Sequence, residues 1–377
     1  MCLNLKKLFG TPVNIAKAII GKITYKPIIL GNKSNYLFVN DNCKIKDGYA
    51  AFISNKYSEN TKNQSIVYGV KNLDYLKDGD IVSIEPDGKI NLLYQKQSNH
   101  NSLFITEKCN CSCVMCPQPR TNASHNTISM NLKLISLMDK KTKSLGLTGG
   151  EPTLIGGALI DIINECKKKL PHTSLNLLTN GIMLEDFEYA KKLAMVEHHD
   201  LLIDIPLYAD TDIEHNKIIG SNGFYKTIQA LYNLALFEQK VGIRVVIHKL
   251  TYQRLPHLAE FIYHNFPFVF QIAFMEMETT GLAKKNIEEL WIDPYEYNQE
   301  LKKAVVYLQQ RCMNVSIYNA QLCILDKKLW PFARKSISLW KNIYLEECRD
   351  CIYCNDCGGF FETSLKKHSE YIKALKS

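Results

Sequence analysis

Cys109, Cys113 and Cys116 lie in the stretch Cys109-Asn110-Cys111-Ser112-Cys113-Val114-Met115-Cys116, spaced C-x3-C-x2-C. A cubane iron-sulfur cluster has four irons, usually held by four thiolates, so three thiols in one short loop leave the fourth iron open to another ligand. Open metal positions belong to catalytic sites. The alternative for this spacing is a zinc knot or a group of reduced, inert thiols. Cys111 lies inside the loop but off the spacing and reads as a non-ligand. Downstream, Thr148-Gly149-Gly150-Glu151-Pro152 closes a strand-like run. Two glycines let a backbone approach a ligand, and the carboxylate beside them can accept hydrogen bonds from an ammonium group; taken alone the segment is an ordinary turn. Leu178-Thr179-Asn180-Gly181 is likewise a turn that can present backbone groups to a nucleoside. Arg244, in the run Gly242 to Val246, offers a planar guanidinium suited to a carboxylate, or else to a surface ion pair.

A second group of thiols comprises Cys323, Cys348, Cys351, Cys354 and Cys357. Cys348, Cys351 and Cys357 are spaced C-x2-C-x5-C, and Cys323 completes four thiolate ligands. The competing set, Cys348, Cys351, Cys354 and Cys357, would hold zinc, and Cys354 is the residue that separates the two. Cys2, Cys43, Cys166 and Cys312 stand alone and read as buried small hydrophobes.

The chain of 377 residues is 46% hydrophobic, enough for two or three packed units, which excludes a disordered chain. Its net charge of +8 is dispersed, with no basic block of the kind that binds nucleic acid. No window near 18 apolar residues appears, and Met1 to Lys7 lacks a signal-peptide core, so a cytoplasmic location away from membranes is expected. In that compartment thirteen cysteines point to metal or redox chemistry rather than disulfides.

These residues need a scaffold. Residues 1–100 carry short alternating runs at 36–39, 49–53 and 81–84, broken by turn signals at Lys46-Asp47-Gly48, Asp78-Gly79-Asp80 and Pro86-Asp87-Gly88; they read as a β-rich domain. An exposed strand edge there would be able to grip a peptide leader. From about 102, strand-like runs at 103–106, 145–148, 175–179, 201–208, 243–248 and 269–275 alternate with helical patterns near 131–141, 158–169, 184–196, 225–237 and 258–264. Repeated βα units give a parallel sheet, and six strands make a partial barrel whose ligand site lies at the strands' carboxyl ends. The expected fold class is α/β: a partial (β/α)6 barrel over 101–290, the β-rich domain before it, and a small cysteine-rich module over 291–363. Residues 364–377 read as a basic tail, helical or frayed.

Taken together, the cysteine loop and the Gly-Gly-Glu-Pro segment resemble those of the radical S-adenosylmethionine (SAM) superfamily over roughly residues 102–276. The resemblance implies that Cys109, Cys113 and Cys116 bind a [4Fe-4S] cluster whose open iron is chelated by SAM. It implies that Gly149, Gly150, Glu151 and Pro152 contact the SAM amino group, with Asn180 and Arg244 as further cofactor contacts. One-electron reduction then releases a 5′-deoxyadenosyl radical that abstracts hydrogen, the protein supplying geometry and exclusion of water. Met115 stands where an aromatic residue is common, and Pro206 where many relatives offer a Ser to the ribose. The C-terminal cysteines resemble the Twitch or SPASM domains that hold an auxiliary [4Fe-4S] cluster, here on Cys323, Cys348, Cys351 and Cys357.

Longer segments resemble the HxsC-type maturases of the His-Xaa-Ser system: Gly79-Asp80-Ile81-Val82, Asn101 to Glu107, Leu147 to Leu154, Trp330 to Arg334 through Ser336 to Asn342, and Cys357-Gly358-Gly359-Phe360-Phe361. That resemblance implies modification of side chains in a small ribosomally made precursor peptide. It also implies a second radical SAM protein as partner and a reductant such as flavodoxin or ferredoxin. The rival readings are a radical SAM enzyme acting on a nucleic acid or small metabolite, and a non-catalytic binding protein stabilised by zinc or a cluster.

Overall fold

The computed structural model describes residues 8–29, 31–40, 48–56, 64–118, 127–336 and 342–376. Cys2, Cys43, the first two residues of the Lys46-Asp47-Gly48 turn, and residues 337–341 of the maturase-like run lie outside the described residues.

The N-terminal unit is built from β1 (Leu8–Phe9), β2 (Thr11–Val13), β3 (Ile19–Thr24), β4 (Tyr36–Val39), β5 (Ala51–Ile53), β6 (Ile66–Tyr68), β7 (Ile81–Ile84) and β8 (Lys89–Tyr94). They form one sheet in the order β1-β8-β7-β3-β4-β5-β6-β2. The two outermost strands, β1 and β2, are consecutive in the chain and separated only by Gly10, so one bent strand closes the sheet on itself. Ile23, Leu37, Ile53, Val67, Val82 and Ile84 fill the interior. The two outer strands are short: β1 pairs with Lys89 and Ile90 of β8, and β2 with Ile66 to Tyr68 of β6. This unit meets the rest of the chain at the amino ends of the later strands, where the Tyr94 and Thr142 hydroxyls share a 2.9 Å hydrogen bond.

The second sheet is parallel throughout: β9 (His100–Phe104), β10 (Ser144–Thr148), β11 (Ser174–Leu178), β12 (Leu201–Pro206), β13 (Lys240–Ile247), β14 (Gln271–Glu276), β15 (Val315–Tyr318) and β16 (Ala333–Arg334), in chain order from edge to edge. Helices α1 (Thr127–Leu137), α2 (Gly157–Lys169), α3 (Phe187–Ala194), α4 (Asp212–Ile219), α5 (Phe224–Leu236), α6 (Leu255–Asn265), α7 (Gly281–Lys285), α8 (Ile287–Leu290) and α9 (Asn298–Gln309) connect them. The six expected βα strands are present. The run 315–318, expected in the C-terminal module, instead extends the barrel as a seventh strand, because α9 packs beside α6 as one more crossover helix.

Strand alternation sorts the side chains. Leu145, Leu147, Leu177, Ile203, Ile205, Ile243, Val245, Ile272 and Phe274 are fully buried against the helices. Their alternates, among them Asn176, Asp204, Arg244 and Met275, face the lumen. Helix α2 shows the matching helical logic: Leu159, Ile162, Ile163 and Cys166 recur on one face and are buried, as expected for Cys166. Cys312 does not follow that expectation. It is exposed, held at a φ of +61° in the turn that ends α9.

Candidate active site at the barrel mouth

The cysteine loop leaves β9 and is tied at once to the turn after β10. The Ile105 amide donates to the Thr148 carbonyl (2.7 Å), the Gly150 amide to Thr106 (2.7 Å) and the Glu151 amide to Lys108 (2.8 Å). A Cβ on Gly149 would lie 2.4 Å from the Thr106 oxygen, and one on Gly150 2.3 Å from the Lys108 oxygen. Two backbones this close admit only glycine. The glycines thus bring the second motif against the strand leading into the first; the close approach expected toward a ligand is made to the chain itself.

The far side of the loop is held by two helices that the sequence did not suggest. The last carbonyls of α4 accept from the loop: Ser112 donates to Ile219 (2.8 Å) and Val114 to Ile218 (2.9 Å), satisfying acceptors that a helix end leaves open. At the start of α7 the Leu282 amide donates to the Cys116 carbonyl (2.8 Å), and the Asn286 side chain donates to Val114 O (2.8 Å). Gly281 has a φ of +57°, and a Cβ there would sit 2.5 Å from the Cys116 oxygen. The only sequence signals were this glycine and Gly220 after α4.

Glu151 is 1% exposed. Its Oε1 accepts from Thr153 N (3.0 Å), Thr153 Oγ1 (2.6 Å) and Thr179 Oγ1 (2.6 Å), and its Oε2 from Asn180 N (2.6 Å). Burial raises its pKa, opposed by these donors. The carboxylate therefore stitches the turn after β10 to the turn after β11. Asn180 carries the stitch onward, donating from Nδ2 to Asn110 Oδ1 (2.7 Å) and to Cys111 Sγ (3.3 Å). Pro152 is buried beside it, opening a short 3-10 turn over Pro152–Ile155.

Cys109, Cys113 and Cys116 are half-buried above the carboxyl ends of the strands, packed with Cys111, Met115, Ile182, Tyr208 and Val246. Cys111 is buried, with its sulfur 3.3 Å from Ser221 Oγ, in keeping with a packing role. The thiol contact with Cys111, then burial, pushes Cys109 far above the usual thiol range. Tyr208, missed in the sequence as a site residue, lies two residues past β12 and packs against the loop; burial raises its pKa, with Cys113, Cys116 and Arg244 inside its electrostatic range. Three thiols on one loop at the mouth of a parallel barrel are the right donors for a cluster, and loading it must displace their protons. Among the described residues no group of three or more His, Cys, Asp and Glu is arranged to hold a metal ion as it stands.

Arg244 faces the lumen from β13 and is half-buried. Its Nη2 donates to Met275 Sδ at 3.3 Å, and no carboxylate among the described residues pairs with it. Asp204, one layer deeper and 4% exposed, accepts from the Asn176 and Gln271 amides at 3.0 and 3.2 Å.

The C-terminal cysteines line a single cavity: Cys323, Cys348, Cys351, Cys354 and Cys357, with Leu322, Tyr344, Tyr353, Phe360, Lys373 and Leu375. Burial pushes up the thiols of Cys323, Cys348, Cys354 and Cys357. The sulfurs differ in their partners. Leu322 N donates to Cys357 Sγ (3.4 Å) and Leu375 N to Cys351 Sγ (3.5 Å). Cys354 instead donates its S–H to the Cys348 carbonyl at 3.1 Å. The tail begins in a 3-10 helix, Glu362–Lys366, and residues 367–376 then pass this cavity without further helix or strand, with Ser369 only 2% exposed.

Residues 103–262 match the family model described as the radical SAM superfamily. Curated relatives include the GTP 3′,8-cyclase of Petrotoga mobilis, 27% identical over 29% of this chain and 36% of its own, and a probable GTP 3′,8-cyclase of Saccharolobus islandicus, 30% identical over 34% and 41%. The chain thus spans about two fifths of the length of these relatives. Solved structures with a similar course include Streptococcus suis SuiB bound to S-adenosylmethionine (16% identity, TM-score 0.49, 68% of this chain and 57% of that one). Another is anSMEcpe with bound AdoMet and Cp18Cys peptide (17%, 0.49, 72% and 92%). Residues 103–262, which carry the cysteine loop, the Gly-Gly-Glu-Pro turn and Arg244, are thus similar to the radical SAM superfamily.

Proposed function

We propose that this chain is a peptide maturase of the His-Xaa-Ser type, with Cys109, Cys113 and Cys116 holding the catalytic [4Fe-4S] cluster and Cys323, Cys348, Cys351 and Cys357 an auxiliary one. The observation that carries the reading is the single cavity that gathers the C-terminal sulfurs. Within it Cys351 and Cys357 accept backbone N–H donors, while Cys354 donates to the Cys348 carbonyl. The metal counts below separate the cubane set from the zinc set. Arg244, a lumen guanidinium held only by a soft sulfur acceptor, would take the SAM carboxylate. Gly149 and Gly150, the half-exposed part of their turn, would border its amino group, with Glu151 and Asn180 holding that turn against the cysteine loop. When bound, the cluster and SAM supply a carbon radical that abstracts hydrogen from the substrate. The partners are a small precursor peptide, a second radical SAM protein and a low-potential reductant. No helix among the described residues is long and apolar enough to cross a membrane.

A second reading has the curated relatives in its favour: a nucleotide substrate of the kind named in GTP 3′,8-cyclase. Anaerobic reconstitution followed by turnover separates the two. The expected count is roughly eight irons per chain, about four after C109A/C113A/C116A or after C323A, and no change after C354A. Formation of 5′-deoxyadenosine by the reduced protein should rise with a synthetic His-Xaa-Ser repeat peptide and not with GTP. Stimulation by GTP alone would transfer the assignment to the nucleotide reading. Four irons with about one zinc that C354A removes would discard the auxiliary cluster.

A further inference from the structure

Residues 369–376 run across the open side of the C-terminal cavity without forming a helix or strand. The segment is fastened at several points. The Tyr371 ring stacks on Tyr295 with centroids 4.1 Å apart, and the Glu370 amide donates to Asp293 Oδ2 at 3.4 Å. Ile352 N donates to the Leu375 carbonyl at 3.1 Å, pairing the segment with the chain between Cys351 and Cys354. From that position its own backbone turns inward: Leu375 N–H points at Cys351 Sγ (3.5 Å), and Lys373 lines the same cavity as Cys323. Leu375 also joins the apolar core.

We infer that residues 369–376 are a strap that completes the C-terminal cluster site, supplying an N–H donor to Cys351 and covering the cavity. The inference rests on the reading of these cysteines as cluster ligands. The physical reason lies in the module itself. It consists of short turns around Glu346–Cys348 and a tight bend at Gly358-Gly359, and such a scaffold has few amide groups of its own to aim inward. A cluster held by four thiolates gains negative charge on reduction, and N–H donors to its sulfurs together with burial decide how readily it accepts the electron. One of the four ligand sulfurs, that of Cys351, draws a donor from the strap. Moving it would therefore change both the potential and the accessibility of this cluster while leaving the barrel-mouth cluster alone.

The full chain, reconstituted anaerobically, provides the test. Leu375→Pro removes the N–H that faces Cys351, whereas Leu375→Ala keeps it. Losing one such bond should lower the equilibrium constant for reducing the auxiliary cluster about tenfold, ~59 mV for a one-electron couple, in a potentiometric titration followed by electron paramagnetic resonance. Leu375→Ala should stay near the wild-type value. Tyr371→Ala, which keeps every amide but removes the stack on Tyr295, should release four of the irons to a chelator at least several-fold faster. It keeps the inference open to refutation even where Leu375→Pro does not load. A wild-type chain without a second cluster overturns the ligand reading, and the strap's role with it. A loaded wild type whose potential and chelation rate are unmoved by all these changes overturns the strap alone.

Discussion

Replacing Glu151 by Gln tests whether that carboxylate acts on a bound cofactor or on the chain. The four donors around it all belong to the protein, at 2.6 to 3.0 Å. A Gln side chain must put an NH2 where one oxygen was. The less costly orientation sets that NH2 against the Asn180 amide. It loses one charge-assisted bond, about 1.5–3 kcal/mol, and leaves a buried donor unpaired, about 1–3 kcal/mol. Removing a buried charge returns part of this, since burial already disfavours the ionised form. The expected net loss is about 2–4 kcal/mol. Because the tie is local, the direct readout is amide exchange at Asn180, whose N–H loses its acceptor. It should speed up by about two orders of magnitude in metal-free E151Q, with residues of the N-terminal barrel unchanged. SAM affinity should fall in parallel as the two turns separate. If Asn180 exchanges at the wild-type rate while SAM binding collapses, Glu151 is a direct cofactor contact and the stitching argument fails.

Two further outcomes follow from the geometry. In Gly150→Ala the new Cβ would meet the Lys108 carbonyl, a backbone atom that cannot swing aside; iron at the barrel-mouth cluster should drop from about four to less than one, while the auxiliary iron persists. Retention of all eight irons would show that the cysteine loop does not depend on the glycine contact. Glu276, half-buried at the end of β14 beside Tyr297 and Gln321, has its pKa pushed up to about 8 by desolvation. A carboxyl whose folded pKa exceeds its unfolded value stabilises the fold fully below the unfolded pKa and loses that stabilisation as pH rises through the folded one. The metal-free wild type should therefore lose thermal stability relative to Glu276→Gln from about pH 4.5 up to about pH 8 and level off above it; parallel melting curves across that range would contradict the shift.

Much of the scaffold was legible because it is written in local periodicities. Alternation in β10 to β14 and the helical spacing of Leu159, Ile162, Ile163 and Cys166 each follow from a few neighbouring residues, and βα repetition then requires a parallel sheet. Short or weakly patterned pieces were not legible. Helices α4 and α7 span few turns, and their value lies in end groups that meet the cysteine loop across more than a hundred residues of sequence. The closure of the first barrel depends on a strand broken at Gly10 whose two halves pair with opposite edges, which no local pattern records.

The sequence by itself determined the chemistry of the mouth: three thiols at C-x3-C-x2-C before one strand end and Gly-Gly-Glu-Pro after the next, placed at the same sheet edge by the parallel topology. Covalent spacing is enough for that, because residues in one short loop cannot be far apart. Only the tertiary structure decided how the pieces are used. It turned Glu151 inward, where four donors outcompete water for its oxygens. It gave backbone donors to Cys351 and Cys357 and set the Cys354 thiol against a carbonyl. It also laid a lysine-rich tail across a cysteine-lined cavity through the contacts of Tyr371 and Leu375. Each of these depends on which groups remain unpaired once distant segments have packed, a quantity that composition and spacing do not contain.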